Sequence, residues 1–269
     1  MVKPSKRDIE TLQRIENVVY RNILNVPKFT GVEFLRGEVG ATSMKWRIIK
    51  GRLLYVHRKL TEDRNTTIKR IIKEDIELGN TEMGKRIRQE MQDLGLTNEL
   101  ETYSRREIIA NIKEKDRIEW INGMRNKVTL RRYMENKVNI FEEKWFKNGN
   151  KFKIMMKSRS NTLNLKWRDW GSDEEKICPL CQQGIETLEH FILECPKLQP
   201  IRNKHIELQW PMQPNRKEEN IKKILMFDIE NNADKFDNIR YINLIEELWI
   251  KRKSIIKEQT LTEVHVQDR

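Results

Sequence analysis

Cys178-Pro-Leu-Cys181, His190 and Cys195 hold every cysteine of the chain within 18 residues. Two residues separate Cys178 from Cys181, eight separate Cys181 from His190, and four separate His190 from Cys195. Three thiolate sulfurs and one imidazole form a tetrahedral zinc set with no open position, and a closed set is structural rather than catalytic. The bland alternative is three buried thiols and a surface histidine. A redox Cys-x-x-Cys pair is a third reading, and it leaves His190 and Cys195 without a role. Pro179 stiffens the knuckle, and Gly184 is expected to let the chain turn back. The stretch from Glu186 to Glu194 reads as a short helix closed by Pro196. One structural Zn2+ is the cofactor this pattern implies.

Basic residues supply the second chemistry. Between Lys144 and Arg168 stand eight of them and no acid: Lys144, Lys147, Lys151, Lys153, Lys157, Arg159, Lys166 and Arg168. Trp145, Phe146, Phe152 and Trp167 are interleaved, with Trp170 just beyond. Cations neutralise phosphates, and aromatic faces stack on unpaired bases. The competing reading is a basic surface whose aromatics belong to the core. A second one-signed stretch runs from Val39 to Thr61, again without an acid. Arg47, Lys50 and Arg52 are its candidate phosphate contacts, beside the reading of a solvated face. Arg202 is a lesser candidate. His57 and His205 read as surface or packing residues.

The elements that position these residues are helical. The periodicity predicts a mainly α chain with a helical, bundle-like N-terminal half, a basic helical linker, a small zinc knuckle and C-terminal helices. The expected divisions are residues 1–100, 101–170, 171–210 and 211–269. Ile9, Leu12, Ile15, Val19 and Ile23 mark the apolar face of a first helix that ends at Val26-Pro27. Lys28 to Gly40 reads as a turn-rich connector. Trp46, Ile49, Leu53, Val56 and Leu60 stripe the next helix, capped by Thr42 or Ser43. Ser104-Arg-Arg-Glu107 fits a capping box. Ile239, Ile242, Ile245 and Trp249 mark a last helix to Lys253, followed by a polar tail expected to fray.

Composition sets the outer limits. Of 269 residues, 37% are hydrophobic and 35% charged, and the formal net charge is +12. A chain this basic expects a polyanion, nucleic acid first and an anionic membrane surface second. No apolar run approaches the length of a membrane span, and no membrane or small-molecule partner is expected. With no cysteines left for disulfides, a reducing compartment follows, cytoplasm or nucleus.

Several of these motifs resemble one family. Phe152-Lys-Ile-Met-Met-Lys, Cys178-Pro-Leu-Cys181, Glu186-Thr187, His190-Phe-Ile-Leu-Glu-Cys195-Pro196 and Arg202 resemble the C-terminal region of a non-LTR (LINE-type) retrotransposon reverse-transcriptase polyprotein. Upstream, Ile23-Leu24-Asn25-Val26-Pro27, Thr30, Arg36-Gly37-Glu38-Val39-Gly40, Met44, Arg47 and Leu53-Leu54-Tyr55 resemble that family's thumb-and-linker segment. The resemblance implies a module that holds template RNA, RNA–DNA hybrid or target DNA in target-primed reverse transcription, beside a polymerase domain. The chain departs from the family in lacking any Asp-Asp pair for the polymerase palm. It also shows no recognisable endonuclease constellation after the knuckle. The expectation is therefore a binding module without its own catalytic centre. Two alternatives stand beside it: a protein-docking module in which zinc only stabilises the fold, and an enzyme with an unrecognised site.

Overall fold

The computed structural model describes residues 5–61, 66–97, 99–143, 152–168, 172–205, 216–227 and 235–267. Those residues are mainly helical, as the periodicity predicts. Their only extended pairings are two isolated bridges, Val39 with Glu142 and Ile177 with Ile185. No helix among them is long and apolar enough to cross a membrane. The chain makes two compact units that interleave in sequence. One comprises Met1–Tyr20, Arg36–Asn126 and Asn139–Glu142; the other comprises Arg21–Leu35, Lys127–Val138 and Glu143–Arg269.

In the first unit, α3 (Met44–Thr61) is the central element. Its stripe of Trp46, Ile49, Leu53, Val56 and Leu60 is buried throughout, as its spacing requires. It packs on α4 (Thr66–Leu78), α5 (Glu82–Asp93) and α6 (Arg105–Met124). Ile76, Ile87, Met91, Ile108 and Ile112 complete this core. Ser43 caps α3, its hydroxyl accepting from the Trp46 amide at 3.4 Å. Ser104 and Glu107 form the expected capping box on α6.

Helix α1 (Lys6–Leu24) overturns one expectation. Leu12, Ile15, Val19 and Ile23 are exposed, and the helix turns its polar side inward. Gln13 accepts from the Met44 amide at 2.8 Å, satisfying one of the orphan donors at the start of α3. Glu16 meets Arg47 and accepts from the Tyr20 hydroxyl at 2.6 Å. Burial and then that carboxylate push the Tyr20 phenol up to about 12. The inward contact is made of hydrogen bonds and ion pairs, so periodicity located the apolar face correctly and its environment wrongly.

The expected connector from Lys28 to Gly40 is also corrected: Val32–Val39 forms α2. Phe34 and Leu35 are fully buried, and that burial outweighs the helix cost of Gly37. Arg36 pairs with Asp116 at 2.6 Å. Gly40 ends the helix at φ 69, where a Cβ would lie 2.4 Å from the Glu142 amide nitrogen.

The second unit holds α7 (Arg131–Asn136), α8 (Phe152–Arg159), α9 (Gln199–Lys204), α10 (Lys217–Ile224) and α11 (Lys235–Gln267). Tyr133 sits edge-on between the rings of Phe34 and Phe227. Helix α11 continues to Gln267 instead of ending at Lys253. Its later turns have work to do, because Gln259 donates to the Pro179 carbonyl at 3.1 Å.

Candidate metal centre

A short hairpin carries the first two donors. The Ile177–Ile185 bridge closes it, and the Cys178 amide donates to the Gly184 carbonyl at 2.7 Å. The turn is made by Gln182 at φ 56, so the left-handed residue is Gln182 and not Gly184. The other two donors lie on a helical segment with a π turn from His190 to Glu194. The Cys195 amide closes that turn on the His190 carbonyl at 2.7 Å. In a regular α-helix, residues five apart point about 140° away from each other. The i to i+5 turn removes that divergence and brings His190 and Cys195 to one side.

The four donor atoms, one each from Cys178, Cys181, His190 and Cys195, lie within 4.8 Å of one another. A zinc ion about 2.3 Å from sulfur and about 2.0 Å from nitrogen demands tetrahedral edges of about 3.8 Å between sulfurs and about 3.5 Å from sulfur to nitrogen. Cys178 Sγ stands 3.9 Å from Cys195 Sγ, and Cys181 Sγ stands 3.3 Å from His190 Nε2. His190 turns its other ring nitrogen, Nδ1, toward Glu194 Oε2 at 3.7 Å. A carboxylate on the far side of the ring is the usual device for fixing the ligating nitrogen. The residues fit one metal ion.

Proton competition inside the cluster agrees with that packing. The hydrogen bond to Cys195, with burial, pushes the Cys178 thiol up to about 12, while the same bond draws Cys195 below its ordinary value. His190 is raised by its hydrogen bond to Cys178, against the opposing effect of burial.

Neighbouring side chains hold the cluster from outside. Glu186, between the hairpin and the π turn, is buried and accepts two bonds of 2.7 Å from Arg252 of α11. Its Oε2 also accepts from the Lys166 amide at 2.9 Å. The Thr187 hydroxyl accepts from the His190 amide at 3.1 Å. Sequence reasoning missed Arg252 and Gln259, which lie 66 and 80 residues from their partners. No local signal could have found them.

The candidate phosphate contacts divide into groups. Lys144, Lys147 and Lys151 lie outside the described residues, as do Trp145, Phe146 and Trp170. Arg159 is buried, where it donates to the Leu225 carbonyl at 2.6 Å, meets Glu143 at 3.2 Å and lies over the Phe227 ring. Arg202 is buried beside the cluster. Arg47 is committed to Glu16 and Arg52 to Glu90. Arg168 donates to the Asn161 carbonyl and lies over the Phe29 ring. Lys166 is exposed, and Lys50, Lys153 and Lys157 are half-buried. Of the histidines left aside, His57 Nε2 lies 2.9 Å from the Tyr103 carbonyl and His205 Nε2 3.4 Å from Glu247.

Comparison with protein-family models, with curated proteins and with solved structures finds no match for the chain.

Proposed function

We propose that the chain is a zinc-stapled nucleic-acid-binding module without a catalytic centre of its own, of the kind its resemblance to the C-terminal region of non-LTR retrotransposon reverse transcriptases implies. The observation that carries the metal half is the convergence of Cys178, Cys181, His190 and Cys195 into one tetrahedron-sized cluster. Thiolate-rich donor sets select zinc among the common divalent ions, and a set of four leaves no place for substrate or water. The ion's contribution is to fold the region between the hairpin and α9.

The nucleic-acid half is supported by the net charge of +12 and by the acid-free run from Lys144 to Arg168. Lys153 and Lys157 stand one helical turn apart on α8. The partners this reading implies are template RNA, RNA–DNA hybrid or target DNA, with a polymerase domain alongside, in the cytoplasm or nucleus.

The deciding experiment is metal analysis followed by binding titrations. The purified chain should carry one zinc. It should bind fluorescent single-stranded RNA, RNA–DNA hybrid or duplex DNA with an affinity that falls steeply with salt. Replacing Cys181 with Ser should release the zinc and make the region from Cys178 to Cys195 protease-sensitive. Unchanged circular dichroism and protease resistance in that variant would refute the structural-metal reading.

A second reading has its own support. The basic side of α3 is engaged internally at Arg47 and Arg52, while the apolar face of α1 is exposed. Both features fit a module that docks on protein. Weak binding to all three nucleic acids at low salt would favour it.

A further inference from the structure

Four arginines among the described residues are buried: Arg36, Arg159, Arg202 and Arg252. Three of them meet a carboxylate. Arg36 reaches Asp116 at 2.6 Å, Arg159 reaches Glu143 at 3.2 Å, and Arg252 reaches Glu186 at 2.7 Å. Arg202, only 2% exposed, has no carboxylate within ion-pair distance among the described residues. Its guanidinium donates to the Cys195 carbonyl, to the Ile192 carbonyl at 3.4 Å, and to the Gln199 side-chain oxygen at 3.1 and 2.9 Å. Every one of these acceptors is neutral. Glu194, the acid within this segment, forms an ion pair with Lys217 at 2.6 Å.

A guanidinium taken out of water needs an opposite charge nearby, because an uncompensated buried ion is strongly destabilising. The metal centre supplies one. Three thiolates, a neutral imidazole and a divalent cation together carry one negative charge. That charge is centred on the sulfurs, and the residue whose carbonyl Arg202 grips is itself one of the ligands. Resting on the metal reading above, we propose that Arg202 is the positioning residue and counter-charge of the metal centre. Its hydrogen bonds hold the backbone of Ile192 and Cys195 in the π turn. Its positive charge offsets the excess negative charge of the three thiolates. A cation so placed lowers electron density on the sulfurs and makes them poorer nucleophiles and slower to release metal. Arg202 therefore leaves the set of phosphate contacts and joins the site.

The test uses the full chain with Arg202→Gln and Arg202→Lys, each loaded with zinc and, separately, with cobalt. Gln keeps hydrogen-bonding capacity and removes the charge; Lys keeps the charge and loses the fork. Arg202→Gln should pass zinc to a chromogenic chelator about tenfold faster than the wild type, within the range for loss of an outer-shell partner. It should also be alkylated faster by iodoacetamide, and its cobalt–thiolate absorption band should shift. Arg202→Lys should recover most of each difference. Wild-type rates in Arg202→Gln, or a Lys variant no better than Gln, would overturn the proposal while leaving the metal reading intact. A wild-type chain that holds no zinc or cobalt would overturn both. If Arg202→Gln does not fold, Arg202→Lys decides alone: zinc transfer within twofold of wild type supports the counter-charge, and a tenfold rise overturns it.

Discussion

Helices α1 and α3 carry apolar residues at the same three-and-four spacing, and the fold treats them in opposite ways. On α3, Leu53 is fully buried and its neighbours on the stripe nearly so. On α1, Ile15 is 58% and Val19 48% exposed. The spacing establishes that each helix has an apolar face. It does not establish which face the rest of the chain covers. What turned α1 over is a set of polar groups, Gln13, Glu16, Asn17 and Tyr20, that bond to one another and to the start of α3. Periodicity is a statement about one helix, whereas burial is a statement about its neighbours.

The sharpest test of that contrast is Leu53→Ala. Truncating this core leucine should cost about 2–5 kcal/mol in denaturant unfolding. A cost below 1 kcal/mol would mean that the α3 stripe is no better packed than that of α1.

The charged side of α3 allows an intermediate test. Arg52 pairs with Glu90 of α5, yet burial keeps the Glu90 carboxyl above the usual carboxylate range despite Arg52. A carboxyl raised in the fold binds its proton more tightly there than in the unfolded chain. Its favourable contribution is therefore complete below the unfolded pKa and is lost as pH rises through the folded one. Relative to Glu90→Gln, the wild type should lose stability as pH climbs through the carboxylate range. A difference between the two that does not vary with pH would show that Glu90 titrates as it does in water.

The smallest effect belongs to α1. Ile15→Ser should change unfolding stability by no more than about 0.5 kcal/mol, as for an exposed site away from caps and cores. A loss comparable to that of Leu53→Ala would show that this face is covered in solution.

The same division between local and distant information decides how much of the molecule could be read in advance. The donor quartet, the α3 stripe and the Ser104–Glu107 capping box are patterns within fewer than 20 residues; the four donors cluster, the stripe is buried and the box forms. The acid-free stretch of α3 was equally visible, but the acids that balance it come from elsewhere. Glu16 and Glu90 lie 31 and 38 residues from their arginines. A one-signed run in sequence need not be a one-signed surface in space. The connector that became α2 failed for a related reason. Its glycines are visible locally, whereas its burial at Phe34 and Leu35 depends on distant packing. Arg202 looked like any other basic residue beside a knuckle, because nothing in its neighbours announces that it lies inside.

The π turn between His190 and Cys195 makes the site sensitive to chain length in a way that side-chain chemistry is not. Four residues intervene between these two ligands, and the i to i+5 closure depends on that count. Inserting a single residue there would put these donors six apart, about 120° from each other on an ordinary α-helical turn. All four donors would survive such an insertion, but the cluster would not. In an evolving lineage, Phe191, Ile192 and Leu193 are free to exchange for other apolar residues of similar size, whereas an insertion between the two donors is closed to it.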